Sequence, residues 1–566
     1  MTETRLPPGR AALRRDASIV PRGAFSTDDQ MSNAGVGAPR QAKSWVTGRR
    51  ARVLLCASGV SFMIMLDSNI VAVSLPAIAR DLNAVFADVE WIVSAYVLTF
   101  AALLMPAGAL ADRFGRRYMA IVGLSVFTIA SLLCGLAPTA LVLNVARALQ
   151  GIGAAVQLSA ALAILGHEFR GPERARAFGF WGTVIGVAVA VGPLVGGLIT
   201  SGFGWRWAFL VNVPIGVVLI ALAVNAVEES QDPDAIRLDL AGMASFGGAL
   251  FCLVWALIDA NADGWSSRAT TTKLAAAAAL LVLFVVAERL QKRPMVDFTL
   301  FRKRTFLGSS VAMLGFASSA QVMMTYLPLY LQNAFGLSPA AAGLGMLPFA
   351  LPLFFFPRIA AALATRISGR ALLSIGLAIV AAGNLATAAV VAANLPYALV
   401  ALGMVVTGCG AGLLNGETAK VSMSVVPPER GGMASGIGGT LRFVGLVTGI
   451  TGLGAVLASE TERHFVQAAA ASGLAGSTGD DPHLLVSRIM AGDIGGIVAR
   501  MVTSAQATML EVARLSFTSG FTTVLLAAGA TSTLAALLSY GLISARETAP
   551  VRMPGKVEPE LPEMLD

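Results

Sequence analysis

Charge is scarce in this chain. Of 566 residues only 13% are Asp, Glu, Lys or Arg, roughly half the ~25% typical of soluble domains. Such a length would otherwise suggest about three or four soluble domains, but so few charges cannot cover the surfaces of several globules. Water is therefore excluded as the main solvent, and lipid takes its place. Histidine is nearly absent, with three residues and none inside a long apolar run, so any proton relay there has to use carboxylates. The four cysteines (Cys56, Cys134, Cys252, Cys409) lie far apart, each within an apolar run, which excludes a disulfide framework and a metal-ligand spacing. No G-x-x-x-x-G-K-S/T occurs, which argues against a primary pump with its own nucleotide site. The net charge of +8 is no nucleic-acid footprint, because the first 52 residues alone hold ten Lys/Arg against four Asp/Glu.

What is present is apolar sequence, 56% of the chain. A bilayer core needs about 20 apolar residues per helix. Runs of that kind are predicted at about 53–76, 91–111, 118–137, 140–165, 177–199, 207–227, 238–258, 273–290, 306–331, 340–363, 371–392, 396–425, 433–458 and 516–543. The first is not a cleavable signal, since it starts some fifty residues in and reads through Asp67 and Asn69 without a small-residue cleavage site. With the N-terminus inside, the inner loops carry 15 Lys/Arg and the short outer loops 3, which places both termini in the cytoplasm. The long segment 459–515 then falls outside and reads as a polar, partly helical hairpin containing His464 and His483.

The chain also resembles itself. Gly151–Ala155 (GIGAA) recurs as Gly408–Gly412 (GCGAG), Pro172-Glu173-Arg174 as Pro428-Glu429-Arg430, and Gly182-Thr183 as Gly439-Thr440, at offsets of 256 or 257 residues. Leu110 to Arg117 meets Leu363 to Arg370 at an offset near 253. A common offset and order makes runs 1–6 and 9–14 equivalent halves, with runs 7 and 8 inserted between them. Parallel halves about an axis along the membrane normal are a transporter layout, with the substrate site between them near the midplane.

Ionisable groups within apolar runs cost at least about 2.5–3.5 kcal/mol each on insertion scales. Asp67 sits near the middle of the first run, in Asp67-Ser68-Asn69. It reads as a carboxylate that loads and releases a proton as access alternates. The bland alternative is a carboxylate permanently paired for structure. Arg147, in Arg147-Ala148-Leu149-Gln150-Gly151, cannot lose its proton, but it can hold a carboxylate, a water or an anion. Its alternative is snorkelling to the interface. Glu417 and Lys420, three apart, share a helical face and either neutralise each other or line a cavity. Arg442 stands in the thirteenth run with the same two readings.

Between the second and third runs lies Gly108-Ala-Leu-Ala-Asp112-Arg113-Phe-Gly115-Arg116-Arg117. Its arginines fit a cytoplasmic anchor, but Asp112 and the glycine spacing go beyond one and predict a charge latch near a helix end. The fifth run holds Gly182 and Gly186, then Gly192-Pro193 and Gly196-Gly197. Small residues four apart let helices meet backbone to backbone, and the proline predicts a bend. Trp205-Arg206-Trp207 to Gly216 reads as an interfacial anchor entering the sixth run.

At these residues the chain resembles the major facilitator superfamily, in particular its 14-helix drug:proton antiporter branch, from about residue 52 to 543. Gly108 to Arg117 is similar to the family's signature turn. Asp67 with Leu75-Pro76 resembles the first-helix motif, and Arg147, Gln150, Gly151 and Gly153 the fourth-helix motif. Gly186, Gly192, Pro193, Gly196 and Gly197 resemble the fifth-helix motif of antiporters. Leu300-Phe301-Arg302 and Tyr326 to Gln332 are similar to branch-specific stretches. The second copy of the turn departs from the pattern, with Thr365 where the first has Asp112. The resemblance implies an all-α integral membrane fold. Its parts would be a disordered cytoplasmic tail 1–51, a six-helix half 52–227, a linker 228–304 with helices 7 and 8, a second half 305–543, and a cytoplasmic tail 544–566. It implies proton coupling at Asp67 and Arg147, a latch at Gly108, Asp112, Arg113, Gly115, Arg116 and Arg117, and a cavity drawing on Asn69, Gln150, Glu417, Lys420 and Arg442.

The expected function is proton-driven export of a small amphipathic compound by alternating access. The competing reading is an uptake permease or facilitator for a metabolite. A membrane enzyme or sensor would need a catalytic constellation or an output domain, and neither is visible. The expected partners are a small-molecule substrate, protons and the lipid bilayer of the plasma (inner) membrane, without nucleic acid, metal or cofactor beyond the proton gradient. The fold is expected to work as a monomer, with room for an accessory envelope protein.

Overall fold

The computed structural model describes residues 48–231, 239–291, 294, 296–427, 430–472, 481–498 and 503–549. The predicted tail up to residue 47, Pro428-Glu429 of the repeat and residues 550–566 lie outside the described residues.

Lipid offers the backbone no hydrogen-bond partners, so a spanning chain must satisfy its own amides, and helices do this locally. Fourteen helices among the described residues are long and apolar enough to cross a membrane: α1 Gly48–Leu82, α2 Phe86–Phe114, α3 Arg116–Gly135, α4 Ala140–Glu168, α5 Gly171–Phe203, α6 Trp207–Ala226, α7 Leu240–Ala260, α8 Arg268–Leu290, α9 Arg304–Asn333, α10 Pro339–Leu363, α11 Gly369–Ala392, α12 Tyr397–Met423, α13 Met433–Ala471 and α14 Ala505–Leu542. Each overlaps one predicted run. Several start on a side-chain cap that satisfies an orphan amide: Thr139 accepts from Val142 before α4, Ser267 from Thr270 before α8, Ser338 from Ala341 before α10 and Ser368 from Ala371 before α11.

Two predicted boundaries need correction. Helix α1 starts at Gly48, inside the predicted tail 1–51. Arg49 and Arg50 hold that end by ion pairs with Glu168 at 2.8 Å and Glu173 at 3.1 Å. The segment 459–515 is not a polar hairpin. Helix α13 runs on to Ala471, helical structure resumes at Thr503 ahead of α14, and two short helices, Pro482–Ala491 and Ile494–Val498, lie between. Leu485, Val486, Ile489 and Met490 are buried in the core of the second half, so this segment is amphipathic.

The repeat reappears in packing. In the first half α4 packs on α2 and α3, and in the second α12 packs on α10 and α11. Gly151 meets the carbonyl of Tyr96 in α2, and its counterpart Gly408 meets that of Phe349 in α10. Gly153 lies against the backbone of Phe127 in α3, and Gly410 against that of Gly376 and Val380 in α11. Across the middle, α2 faces α13 and α5 faces α10, the pairing that a two-fold relation of the halves requires. Helices α7 and α8 pack on each other, and α7 lies against α2 and α13.

The halves meet closely at one end. Gly197 and Pro193 of α5 abut the start of α10 at Pro339 and Gly343. Gln332 Nε2 donates to the carbonyl of Val73 at 2.9 Å. The short helix Pro482–Ala491 and Gly492 after it tie into both halves. Ser487 Oγ accepts from the Phe86 amide at 3.0 Å, Arg80 donates to the Gly492 carbonyl at 3.1 Å, and Asn333 donates to that of Ile489 at 3.3 Å. At the end bearing residues 108–117, Gly108, Gly179 and Gly182 face open space. The structure is thus closed at the Pro193 end.

Candidate transport site: a buried ion pair beside a central cavity

Asp67, Arg147 and Gln150, predicted separately from two runs, form one network. Arg147 donates to Asp67 Oδ2 at 2.7 Å, and Gln150 Nε2 donates to Asp67 Oδ1 at 2.9 Å. Asn212 of α6 is a third donor to Asp67, bonding Oδ1 at 2.7 Å. Arg147 also donates through Nε to the Ile92 carbonyl at 2.9 Å and to Gln150 Oε1 at 2.8 Å, and lies over the Tyr96 ring at 4.1 Å. Ser131 of α3 accepts from Asn212 at 3.1 Å and donates to the Phe209 carbonyl at 2.8 Å. The Asp67 and Arg147 side chains are 0% and 1% exposed. Two charges this deep hold together only where each compensates the other and their remaining polar sites are bonded. Donors on α4 and α6 meet that condition for Asp67, while Asn212 Oδ1 has no partner among the described residues.

The pair adjoins a central cavity between the halves. Asn69, Tyr96 and Arg147 line it from the first half, and Gln321, Thr325, Asn415 and Arg442 from the second, among apolar residues such as Phe316, Phe349 and Leu446. Arg147 reaches the cavity and Asp67 stands behind it. Arg442 donates through Nε to Gln321 Oε1 at 3.0 Å. Gln321 sits at the end of a π-turn, Ala317–Gln321, inside α9, and such turns favour functional positions. Gly445 and Gly449 of α13 let that helix approach the π-turn at Ala317 and Ser318, which sets Arg442 beside Gln321.

The remaining predicted residues are placed elsewhere. Glu417 and Lys420 form an ion pair with each other just past the break at Asn415-Gly416 and do not line the cavity. In the 108–117 turn, Asp112 at the end of α2 accepts from Arg116 at the start of α3, from Nε at 3.1 Å and from its terminal nitrogen at 2.8 Å. Arg117 donates to the Val224 carbonyl near the end of α6 at 2.8 Å, and Glu229 accepts the Arg117 and Tyr118 amides at 3.1 Å each. Arg113 lies over its neighbour Phe114. On α5, Gly192 packs on Asn69 and Gly196 on the Ile70 backbone of α1, while Gly186 faces Phe354 of α10. The bend glycines therefore join α5 to both halves.

Sequence reasoning missed Asn212, Ser131 and Gln321, because it searched the apolar runs for ionisable groups alone. An amide or hydroxyl without a partner in hydrocarbon is also costly, and listing those groups would have found all three. It also missed Glu90, one residue outside a predicted run. This carboxyl is 3% exposed, with no hydrogen-bond partner for either oxygen among the described residues.

Comparison with known proteins agrees with this architecture. The Major Facilitator Superfamily model matches residues 57–450. The multidrug resistance protein Stp of Mycobacterium tuberculosis (strain CDC 1551 / Oshkosh) is 37% identical over 415 residues, covering 73% of this chain and 76% of that protein. The tetracenomycin C resistance and export protein of Streptomyces glaucescens is 31% identical over 516 residues, covering 90% and 95%. In fold, the chain is similar to a bacterial homolog of the human lysosomal transporter Spinster, with a TM-score of 0.57 at 17% identity, covering 90% of this chain and all of that one. Fourteen candidate spans, two packed halves and a polar site between them thus have one family context: this chain is a multi-pass membrane transporter of the major facilitator superfamily, in its drug-efflux branch.

Proposed function

We propose that the protein exports a small, amphipathic compound across the bacterial plasma membrane in exchange for protons. The observation that carries this reading is that Arg147 lines the cavity while bonded to a fully buried Asp67. A proton arriving at Asp67 removes its negative charge and breaks the ion pair that ties α1 to α4 at the cavity wall. The helix contacts beside the cavity then depend on whether the carboxyl is loaded, and this links cargo release to proton occupancy. The names of the relatives, a multidrug resistance protein and a resistance and export protein, support export as the direction.

The loop charges support placing the 108–117 end in the cytoplasm. The conformation described then faces inward, with α5 and α10 closing the outer end through Pro193, Gly197 and Gly343. Alternation requires those contacts to part and the 108–117 end to close, where Asp112 and its arginines would find new partners as a latch.

The test is proton-gradient-driven accumulation of a fluorescent dye in inverted membrane vesicles. The wild type is expected to accumulate dye when the lumen is acidified, and Asp67→Asn to lose accumulation while still binding the dye. Undiminished gradient-driven accumulation by Asp67→Asn would overturn the coupling role.

A further inference from the structure

The central cavity carries charge of one sign. None of its lining residues is Asp or Glu. Of its two arginines, Arg147 is neutralised by Asp67 at 2.7 Å. Arg442 is not: among the described residues no carboxylate forms an ion pair with it, and its hydrogen bond there goes from Nε to Gln321. Its two terminal nitrogens, the fork that grips carboxylates, have no partner among the described residues. The placement is built rather than incidental. The π-turn of α9 carries Gln321, and Gly445 and Gly449 bring α13 against that turn. Gln321 fixes one edge of the guanidinium and leaves the other edge to the cavity. Phe316, Phe349 and Phe443 line the same cavity and give it an apolar, aromatic wall.

We infer that Arg442 and Gln321 form an anion-binding subsite, and that the cargo is an organic acid, a carboxylate or phenolate carried on an apolar, aromatic body. The inference rests on the export reading only for the word cargo, since the subsite follows from the cavity itself. An unpaired guanidinium in an apolar cavity attracts an anion and repels a cation, so charge is discriminated before shape is. Glu417 and Lys420, one of each sign, stood among the cavity candidates in the sequence. Their mutual pairing outside the cavity removes them from the balance.

The test compares two xanthene dyes of opposite charge, anionic fluorescein and cationic pyronin Y, binding to the full chain in phosphatidylcholine nanodiscs, with fluorescence anisotropy as readout. Neutral lipid keeps anionic headgroups from competing for the same guanidinium. Wild type is expected to bind fluorescein at least about tenfold more tightly than pyronin Y, the worth of one charge-assisted contact. Arg442→Gln is expected to erase that gap by weakening fluorescein, and Arg442→Lys to retain part of it. Gln321→Glu keeps the test decisive if Arg442→Gln fails to fold. It sets a carboxylate beside the guanidinium and should erase the gap by neutralising Arg442. Pyronin Y binding as tightly as fluorescein to wild type overturns the inference. So does fluorescein affinity unchanged by Arg442→Gln or, if that variant fails to fold, by Gln321→Glu. Gradient-driven accumulation of each dye in inverted vesicles separates the two readings. Pyronin Y accumulated without fluorescein overturns the anion subsite and leaves export standing. Fluorescein bound tightly but never accumulated supports the subsite and overturns export.

Discussion

The carboxyl of Glu90 packs against the bare backbone of Gly454, facing it across the junction of α2 and α13, with the Tyr326 hydroxyl alongside. A Cβ at position 454 would overlap Glu90 Oε1 and lie 2.7 Å from that hydroxyl. Tyr326 itself donates to the Ile450 carbonyl at 2.6 Å, so it cannot give way without losing that bond. Gly454→Ala is therefore expected to destabilise the protein by about 1–3 kcal/mol, as overpacking of a tight interface does. Glu90→Gln should be neutral or stabilising, because an amide removes the charge that a buried, unbonded carboxylate would carry. Thermal unfolding of the purified protein checks both, and a stable Gly454→Ala variant would contradict the packing described.

The second prediction concerns Asn212, which places one of three donors on Asp67. Asn212→Leu leaves Asp67 Oδ1 with Gln150 alone and removes a donor from Ser131. The expected cost is about 1–3 kcal/mol, the penalty for stripping a partner from a buried polar group. Gradient-driven transport should fall with it. Normal stability and transport in this variant would make Asn212 a spectator.

At the 108–117 turn two neighbouring changes should behave differently. Gly115 has φ of +109°, and a Cβ there would lie 2.5 Å from Glu229 Oε1. Gly115→Ala then forces strain on the turn and disturbs Glu229, which holds the start of α3, costing about 1–3 kcal/mol. Asp112→Asn breaks only the partly exposed pair with Arg116, worth less than about 1 kcal/mol. Stability should hold while transport drops, with dye binding retained. Loss of binding in Asp112→Asn would contradict the latch role.

A pH dependence follows from Asp297, between α8 and α9. The hydroxyl of Thr299, donating at 2.6 Å, holds this carboxyl below its ordinary value; the Thr299 amide and the Arg430 guanidinium add to the effect, while burial opposes it. A carboxyl whose folded value is depressed contributes stability that is fully present above its unfolded value, about 3.9, and is lost as pH falls through the lower folded value. The contact with Arg430, which ties this segment to the start of α13, should thus persist through neutral pH and weaken only in strong acid. Asp297→Asn should flatten that acid limb by no more than about 1 kcal/mol, since Arg430 is half exposed. Unfolding midpoints measured against pH for both proteins check this.

Much of the molecule was legible from composition and spacing. Apolar run length is a one-dimensional property that lipid converts directly into helices, which is why fourteen runs became fourteen helices. The misreading of segment 459–515 has a physical cause. Helices α13 and α14, at 39 and 38 residues, are longer than the about 20 apolar residues that a bilayer core needs, and Leu485, Val486, Ile489 and Met490 are buried by contact with the second half. Asp67 and Arg147 stood out singly because each is expensive in its own run. Their mutual contact was not readable, since they lie eighty residues apart on α1 and α4.

The sequence by itself determined the solvent, the helices, the internal repeat and the few charges that need a reason. Only the tertiary structure decided which of those charges cancel. Glu417 and Lys420 neutralise each other, Asp67 neutralises Arg147, and Arg442 is left facing the cavity with an amide as its partner. The physical reason is range. Hydrophobicity sums along a chain and survives without a fold, whereas the buried pair of Asp67 and Arg147 is settled within a few ångströms, by helices that meet only once the bundle has assembled.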